Sequence, residues 1–397
     1  MLDKVKKIRG PIGLSLVLCG VPLSMLLNFL YPQVNWTPII MIISIFCLIS
    51  KETFKLRSEI HKEGNLIISF QILMLVYLYF TEDKWFNVGT FISFHIYVIA
   101  VCLLMSKNPS LRDVDFSDTL FFLSGILSSV FAVIHFTGIY ALERSINQED
   151  NVLEVFTMNI AAFTNMMLCI FKLKDSKFFM RIFLFLLLVV DFYVVVESGK
   201  RSYFISIFAA LFVYTKRRRI PIKSMLFYGT VSIIILFCFE PVREAFSNLF
   251  LNTINGFNDV FVSKSVEYDE HSSSAIRRDL QEIALKRMDT EFSFYNYFIG
   301  GGYFFGFSDN PLLESYLDMG IIGFVFYSYL ILLLPLKFYK RLDVNNKCHL
   351  LAMMLSVMNI TICITNNSPY QYFVYTPICL ISMYLAYGRK KREVFIS

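Results

Sequence analysis

Apolar runs long enough to cross a bilayer recur along this chain from end to end, and nothing else in the sequence constrains its fold as strongly. A hydrocarbon core about 30 Å thick takes roughly 20 helical residues to cross. Candidate spans fall at 11–31, 35–50, 65–81, 86–105, 117–141, 152–171, 178–197, 201–215, 222–240, 312–335, 348–366 and 371–388. Those at 35–50 and 201–215 are short, and Asn159, Thr164 and Asn165 punctuate 152–171. With 56% apolar and 17% charged residues and a mean hydropathy of +0.57, the chain is not an ordinary soluble globule. The expectation is an all-α integral membrane protein of about 12 transmembrane helices, with residues 1–397 forming one polytopic domain.

Charge placement supports that count. With the N-terminus in the cytoplasm, the segments on that side hold 26 Lys and Arg, from Lys4, Lys6, Lys7 and Arg9 to Arg389–Arg392. The short loops opposite keep only Lys84, Arg144, Lys200 and Arg201. This is the positive-inside asymmetry, and one missed span would scramble it. Both termini are therefore expected in the cytoplasm. The net charge of +6 then reflects topology, with basic helix ends resting on anionic lipid headgroups, and implies no nucleic-acid partner. The basic N-terminus and following apolar run lack a small-residue cleavage site and read as a signal anchor. No cysteine falls in the long outer segment, so no disulfide staples it.

That segment, 241–311, is the one long polar connection. It separates the ninth and tenth spans on the non-cytoplasmic side. A connection of this length is either functional or disordered. Aromatic residues, an amphipathic helix and a glycine run favour the first.

Three outward features could carry chemistry. The turn Glu197-Ser198-Gly199-Lys200-Arg201-Ser202 places two cations on the side that otherwise avoids them. Arg201 opens a span, where free N–H groups and the helix dipole already favour an anion, and a guanidinium adds a bidentate receptor for phosphate oxygens. The alternative is an anchor snorkelling to headgroups. The second feature is a helix near Ser274 to Met288, with Ile276, Leu280, Ile283, Ala284 and Arg287 on one face. Arg277 and Arg278 sit at its positive end, which suits a ligand anion, although Arg278 could instead pair with Gln281 and Glu282. The third runs from Gly300-Gly301-Gly302 through Tyr303 to Asp309-Asn310-Pro311 and into the tenth span with Leu313, Glu314, Asp318 and Gly320. Glycines let backbone approach a ligand closely. The rings of Tyr295, Tyr297, Phe298, Tyr303, Phe304, Phe305 and Phe307 suit sugar faces or the membrane interface. Asp309 could take a proton from a hydroxyl nucleophile, or Asp309 or Asn310 could cap the span.

Asp309-Asn310-x-x-Leu313-x6-Gly320 resembles the signature in the last large outer loop of the O-antigen ligase and Wzy polymerase superfamily. Ser198-x-x-Arg201 is similar to that family's arginine turn, and Arg277 or Arg278 to its second arginine. The resemblance covers about 197–325 by motif and the whole chain by topology. It implies a GT-C-like glycosyltransferase of the bacterial inner membrane, with the 241–311 loop periplasmic. Such an enzyme moves a growing glycan from polyprenyl pyrophosphate onto another lipid-linked repeat unit. Donor and acceptor would be undecaprenyl-pyrophosphate-linked oligosaccharides, and a chain-length regulator protein would be a further partner. The donor carries its own leaving group, so no cofactor is implied. Arg201 with Arg277 or Arg278 would stabilise the departing pyrophosphate, Asp309 would deprotonate the acceptor and Asn310 would position it. Ser198, Lys200, Gly301 and Tyr303 complete the implied substrate-binding set. The family's histidine position holds Asp309 here, a weaker base near pKa 4, and that departure favours polymerase over ligase.

Two rivals stand beside this reading. An O-antigen ligase would transfer the glycan to lipid A-core. A lipid-linked oligosaccharide flippase would use a similar number of spans, but with short loops on both faces. His95, His135 and Asp191 lie in spans, where ionisable groups are functional suspects. A metal or proton site built from them would need ligands from separate spans, no spacing in the sequence supports one, and no metal is expected.

Overall fold

The computed structural model describes residues 2–50, 60–79, 88–138, 155–173, 175–198, 201–218, 273–303, 305–306, 308, 310–365 and 369–393, with a few isolated positions. Among the described residues 85% are helical and there is no strand. In chain order the helices are α1 (Leu2–Leu30), α2 (Trp36–Leu48), α3 (Lys62–Tyr79), α4 (Val88–Lys107), α5 (Ser117–Phe136), α6 (Val155–Leu173), α7 (Phe178–Glu197) and α8 (Arg201–Arg218). They continue with α9 (Ser273–Glu291), α10 (Asn296–Ile299), α11 (Pro311–Ser328), α12 (Leu334–Tyr339), α13 (Lys347–Thr365) and α14 (Tyr372–Glu393). Each expected span coincides with a helix except 222–240, which lies outside the described residues.

Among the described residues, four helical stretches are long and apolar enough to cross a membrane: Ile8–Leu30, Ser117–Phe136, Phe178–Glu197 and Pro311–Tyr339. The third presents Phe178, Phe179, Phe183 and Leu186 outward, with Phe179 84% exposed. A stripe of that kind is costly in water and ordinary against lipid tails. The chain has the make-up of a helical membrane protein.

The chain divides into two compact units. The first comprises 1–59, 107–249 and 342–358. Within it, α1 and α2 form a tight hairpin. A Cβ on Gly13 would lie 2.9 Å from the Cys47 Cβ, and one on Gly20 would lie 3.1 Å from Ile40, so small residues set the approach. Asn28 accepts from the Trp36 N–H at 2.8 Å, and Asn35 caps α2 by accepting from the Thr37 N–H at 3.2 Å. Helices α5, α6 and α7 pack on one another through buried polar groups.

The second unit comprises 60–106, 250–341 and 359–397. Cys102 on α4 reaches the Gly64 carbonyl of α3 at 3.6 Å, and Lys337 on α12 pairs with Glu63 on α3 at 2.7 Å. Between α11 and α12 the helix widens over Tyr329–Leu333, with the Leu334 N–H bonding the Tyr329 carbonyl. Pro335 explains the detour, because it has no N–H to return to Ile331.

Candidate functional site

Helix α11 is not continuous. Gly320 has φ +63° and ψ −162°, a region open essentially to glycine alone, so the backbone breaks one turn after Tyr316. A break inside an apolar span bares carbonyls that need partners. The glycine run supplies them. The Gly301 N–H donates to the Leu317 carbonyl at 2.8 Å, and the Gly302 N–H to the Asp318 carbonyl at 3.0 Å. The approach is tight enough to demand glycine on both sides. A Cβ on Gly300 would sit 2.2 Å from the Asp318 carbonyl, and one on Gly320 would sit 2.3 Å from that of Phe298. The expected close approach of Gly300–Gly302 is therefore made to the protein's own backbone.

Side chains reinforce the joint. Asp318, fully buried, accepts from the Phe305 N–H at 3.0 Å and from the Tyr370 hydroxyl. Tyr303 is buried, donates its hydroxyl to the Met74 carbonyl at 2.5 Å, and packs edge-on against Tyr370 and Phe91. Burial pushes both phenols, Tyr303 and Tyr370, well above the ordinary tyrosine range, with the Asp318 carboxylate the next cause at Tyr370. Glu314, four residues before Asp318 on the same helix, is also fully buried.

Over this joint lies an aromatic platform. Phe294 and Tyr295 are each 73% exposed, and Phe298 is about half exposed. Phe294 contacts both other rings, at centroid separations of 6.0 and 5.4 Å. The platform is fixed rather than loose: Tyr77 donates to the Ile299 carbonyl at 2.5 Å, and Asn296 donates to the Gly300 carbonyl at 2.9 Å. Helix α9 packs against the joint itself. Ala284 packs with Phe305 and Leu317, flanked by Met288, Phe292 and Leu313. Arg287 stacks over the Phe305 ring at 4.5 Å, donates to its carbonyl at 2.5 Å, and pairs with Glu291 at 3.0 Å. The packed stripe is thus Ala284–Met288. Ile283, expected on it, is 61% exposed.

The structure gathers several of the expected residues here. Gly301 and Tyr303 belong to the joint. Asn310 caps α11, its side-chain oxygen accepting from the N–H groups of Leu312 and Leu313 at 3.2 and 3.3 Å. Arg278 is exposed on the second turn of α9, and the backbone of Arg277 precedes it. Asp309 and Lys200 lie outside the described residues. In the other unit, Arg201 begins α8 and Ser198 closes α7. Ser198 donates to the Val195 carbonyl at 2.6 Å and accepts from Asn159 at 2.9 Å. Tyr370 and Phe91 were not singled out from the sequence. Their only signal there is an aromatic residue beside a short loop or in a span, which is commonplace. No protein-family model, curated protein or solved structure matches the chain.

Proposed function

We propose that this protein is a surface-polysaccharide polymerase of the bacterial inner membrane. It would transfer a growing glycan from undecaprenyl pyrophosphate onto another lipid-linked repeat unit at the periplasmic face. The observation that carries the reading is the joint between Gly300–Gly302 and the broken span at Leu317–Gly320. It fixes a folded polar and aromatic segment on an apolar helix, where the head of a membrane-bound substrate would lie. Exposed rings such as Phe294, Tyr295 and Phe298 suit sugar faces. Twelve spans, cytoplasmic termini and a GT-C-like arrangement belong to the same proposal.

In this scheme the acceptor hydroxyl loses its proton to Asp309, and its oxygen bonds to the anomeric carbon of the donor sugar. The bond from that carbon to the pyrophosphate oxygen breaks, and lipid pyrophosphate leaves with the electron pair. Arg201 and Arg277 or Arg278 stabilise the charge that grows on it. Ser198, Lys200 and Asn310 hold or orient substrate, with Asn310 also setting the start of α11. Gly301 and Tyr303, expected to bind substrate, are instead committed to the joint and support the site from beneath. A chain-length regulator protein is a further partner that the family resemblance implies.

Gel analysis of surface polysaccharide tests the reading. A deletion strain should carry chains stalled at one repeat unit on the lipid core, and expression of Arg201→Ala or Asp309→Ala should leave them stalled. Bare core with long chains held on the carrier lipid would make it a ligase. Repeat units trapped on the cytoplasmic leaflet would make it a flippase.

A further inference from the structure

A second polar cluster lies inside the apolar helices of the first unit, made of residues that take no part in the proposed transfer chemistry. Asp191, in the middle of α7, is completely buried. Asn165 on α6 donates its amide to both carboxylate oxygens, at 2.9 and 3.1 Å. The Asn165 oxygen in turn accepts from Ser124 on α5 at 3.4 Å. Ser128, one turn beyond Ser124 and also fully buried, faces the same carboxylate without closing a hydrogen bond to it.

The charges around this group do not balance it. From α6 the Cys169 thiol faces Asp191. Lys172, almost one turn further on, is paired with Asp118 of α5. On α7 itself Glu197 lies near Tyr193, towards the helix end, and α8 meets α7 through Phe204 against Phe192. Among the described residues no basic side chain acts on Asp191. A carboxylate in a span, held only by neutral donors, is too costly to stand uncompensated. What completes the cluster must bring one positive charge and engage an oxygen that is still open, the Ser128 hydroxyl.

We propose that Asp191, Ser128, Asn165 and Ser124 form an intramembrane binding site for one monovalent cation, either a proton or Na+. A proton would convert the carboxylate to a hydroxyl that donates to Ser128. A sodium ion would coordinate the carboxylate and the Ser128 oxygen, the hard ligands that such an ion prefers. Either occupant ties α5, α6 and α7 together.

Thermal unfolding of the purified full-length protein in detergent distinguishes the outcomes. Measurements run from pH 5.5 to 8.5 in NaCl or choline chloride of equal ionic strength, for the wild type, Asp191→Asn and Ser128→Ala. A sodium site predicts that Na+ raises the wild-type Tm by a few degrees and leaves Asp191→Asn unmoved. A proton site predicts that the wild-type Tm falls relative to Asp191→Asn as pH rises, in either salt. Ser128→Ala keeps the carboxylate and serves if Asp191→Asn does not fold. It should weaken the sodium response several-fold or shift the midpoint of the pH response. Sodium and pH responses identical in the wild type and the folded variants would overturn the proposal and leave the cluster a helix clasp.

Discussion

The Gly302 N–H donates to the carbonyl of Asp318 at 3.0 Å, and that bond joins a loop to the interior of an apolar helix. Its neighbour from Gly301 to Leu317 makes the pair, and together they occupy carbonyls that a break in a membrane span would otherwise leave bare. The loop is thereby part of the span's own hydrogen bonding. Loop and helix should stand or fall together.

Glycine substitutions should grade accordingly. Gly300 and Gly320 each combine a positive φ with a Cβ position about 2 Å from backbone atoms, so Gly300→Ala and Gly320→Ala must displace the chain. Gly302 has φ +96° but open space around its Cβ, so Gly302→Ala carries only the conformational penalty of about 1–2 kcal/mol. The expected order of Tm is wild type, then Gly302→Ala, then the other two. Equal losses at all three positions would mean that backbone crowding at the joint is unimportant.

Asp318 and Tyr370 should be energetically coupled. Tyr370→Phe removes a charge-assisted hydrogen bond, with an expected cost of about 1.5–3 kcal/mol. Asp318→Ala also removes the acceptor of the Phe305 N–H and should cost more. In a double-mutant cycle the second substitution should cost clearly less once the first is in place. Additive losses would show that the pair does not act as a unit.

Asn310 carries two separable expectations. As the cap of α11, its replacement by alanine should cost about 1 kcal/mol, while serine or aspartate keeps most of the cap. As a residue that positions the acceptor, it should not be replaceable by either without loss of transfer. Asn310→Ser with near-normal Tm and little polymer would place it in the chemistry. Full polymer from the same variant would confine it to capping.

The buried phenols set an alkaline limit. Tyr303 and Tyr370 hold their protons in the folded state above the ordinary value near 10, so their contribution to stability is complete below that pH. It is lost as pH rises from about 10 through the folded values, because the unfolded chain releases the protons first. Ultraviolet titration should show phenolate from these two groups appearing only with unfolding. In Tyr370→Phe the alkaline fall in Tm should be shallower.

The sequence made the helices legible because hydropathy and helix formation are the same signal in a bilayer. The side-chain pairings were less so. Asn159, Thr164 and Asn165 read in the sequence as interruptions of the span at 152–171. Two of them instead hold Ser198 and Asp191 on a neighbouring helix, which a one-dimensional profile cannot show. The break at Gly320 was equally hidden. A glycine in an apolar run is unremarkable until Gly300, twenty residues earlier, is found against the same stretch of backbone. On α9 the hydrophobic pattern puts both Ile283 and Ala284 on the packed face, yet only Ala284 makes the contact, since a small side chain lets Phe305 and Gly306 come close, and Ile283 is exposed. Asp318 was visible in the sequence as a charge in a span. Its partner Tyr370 lies 52 residues away and carries no local signal.

The most direct test of the transfer reading is reconstitution. The purified protein in lipid discs would be given undecaprenyl-pyrophosphate-linked repeat units, and the products sized for chain length and for released lipid pyrophosphate. The account predicts a ladder spaced by whole repeat units, one lipid pyrophosphate released per bond formed, and no ladder from Arg201→Ala or Asp309→Ala proteins of normal Tm. A folded wild-type protein that lengthens nothing, or variants that build the ladder undiminished, would contradict it.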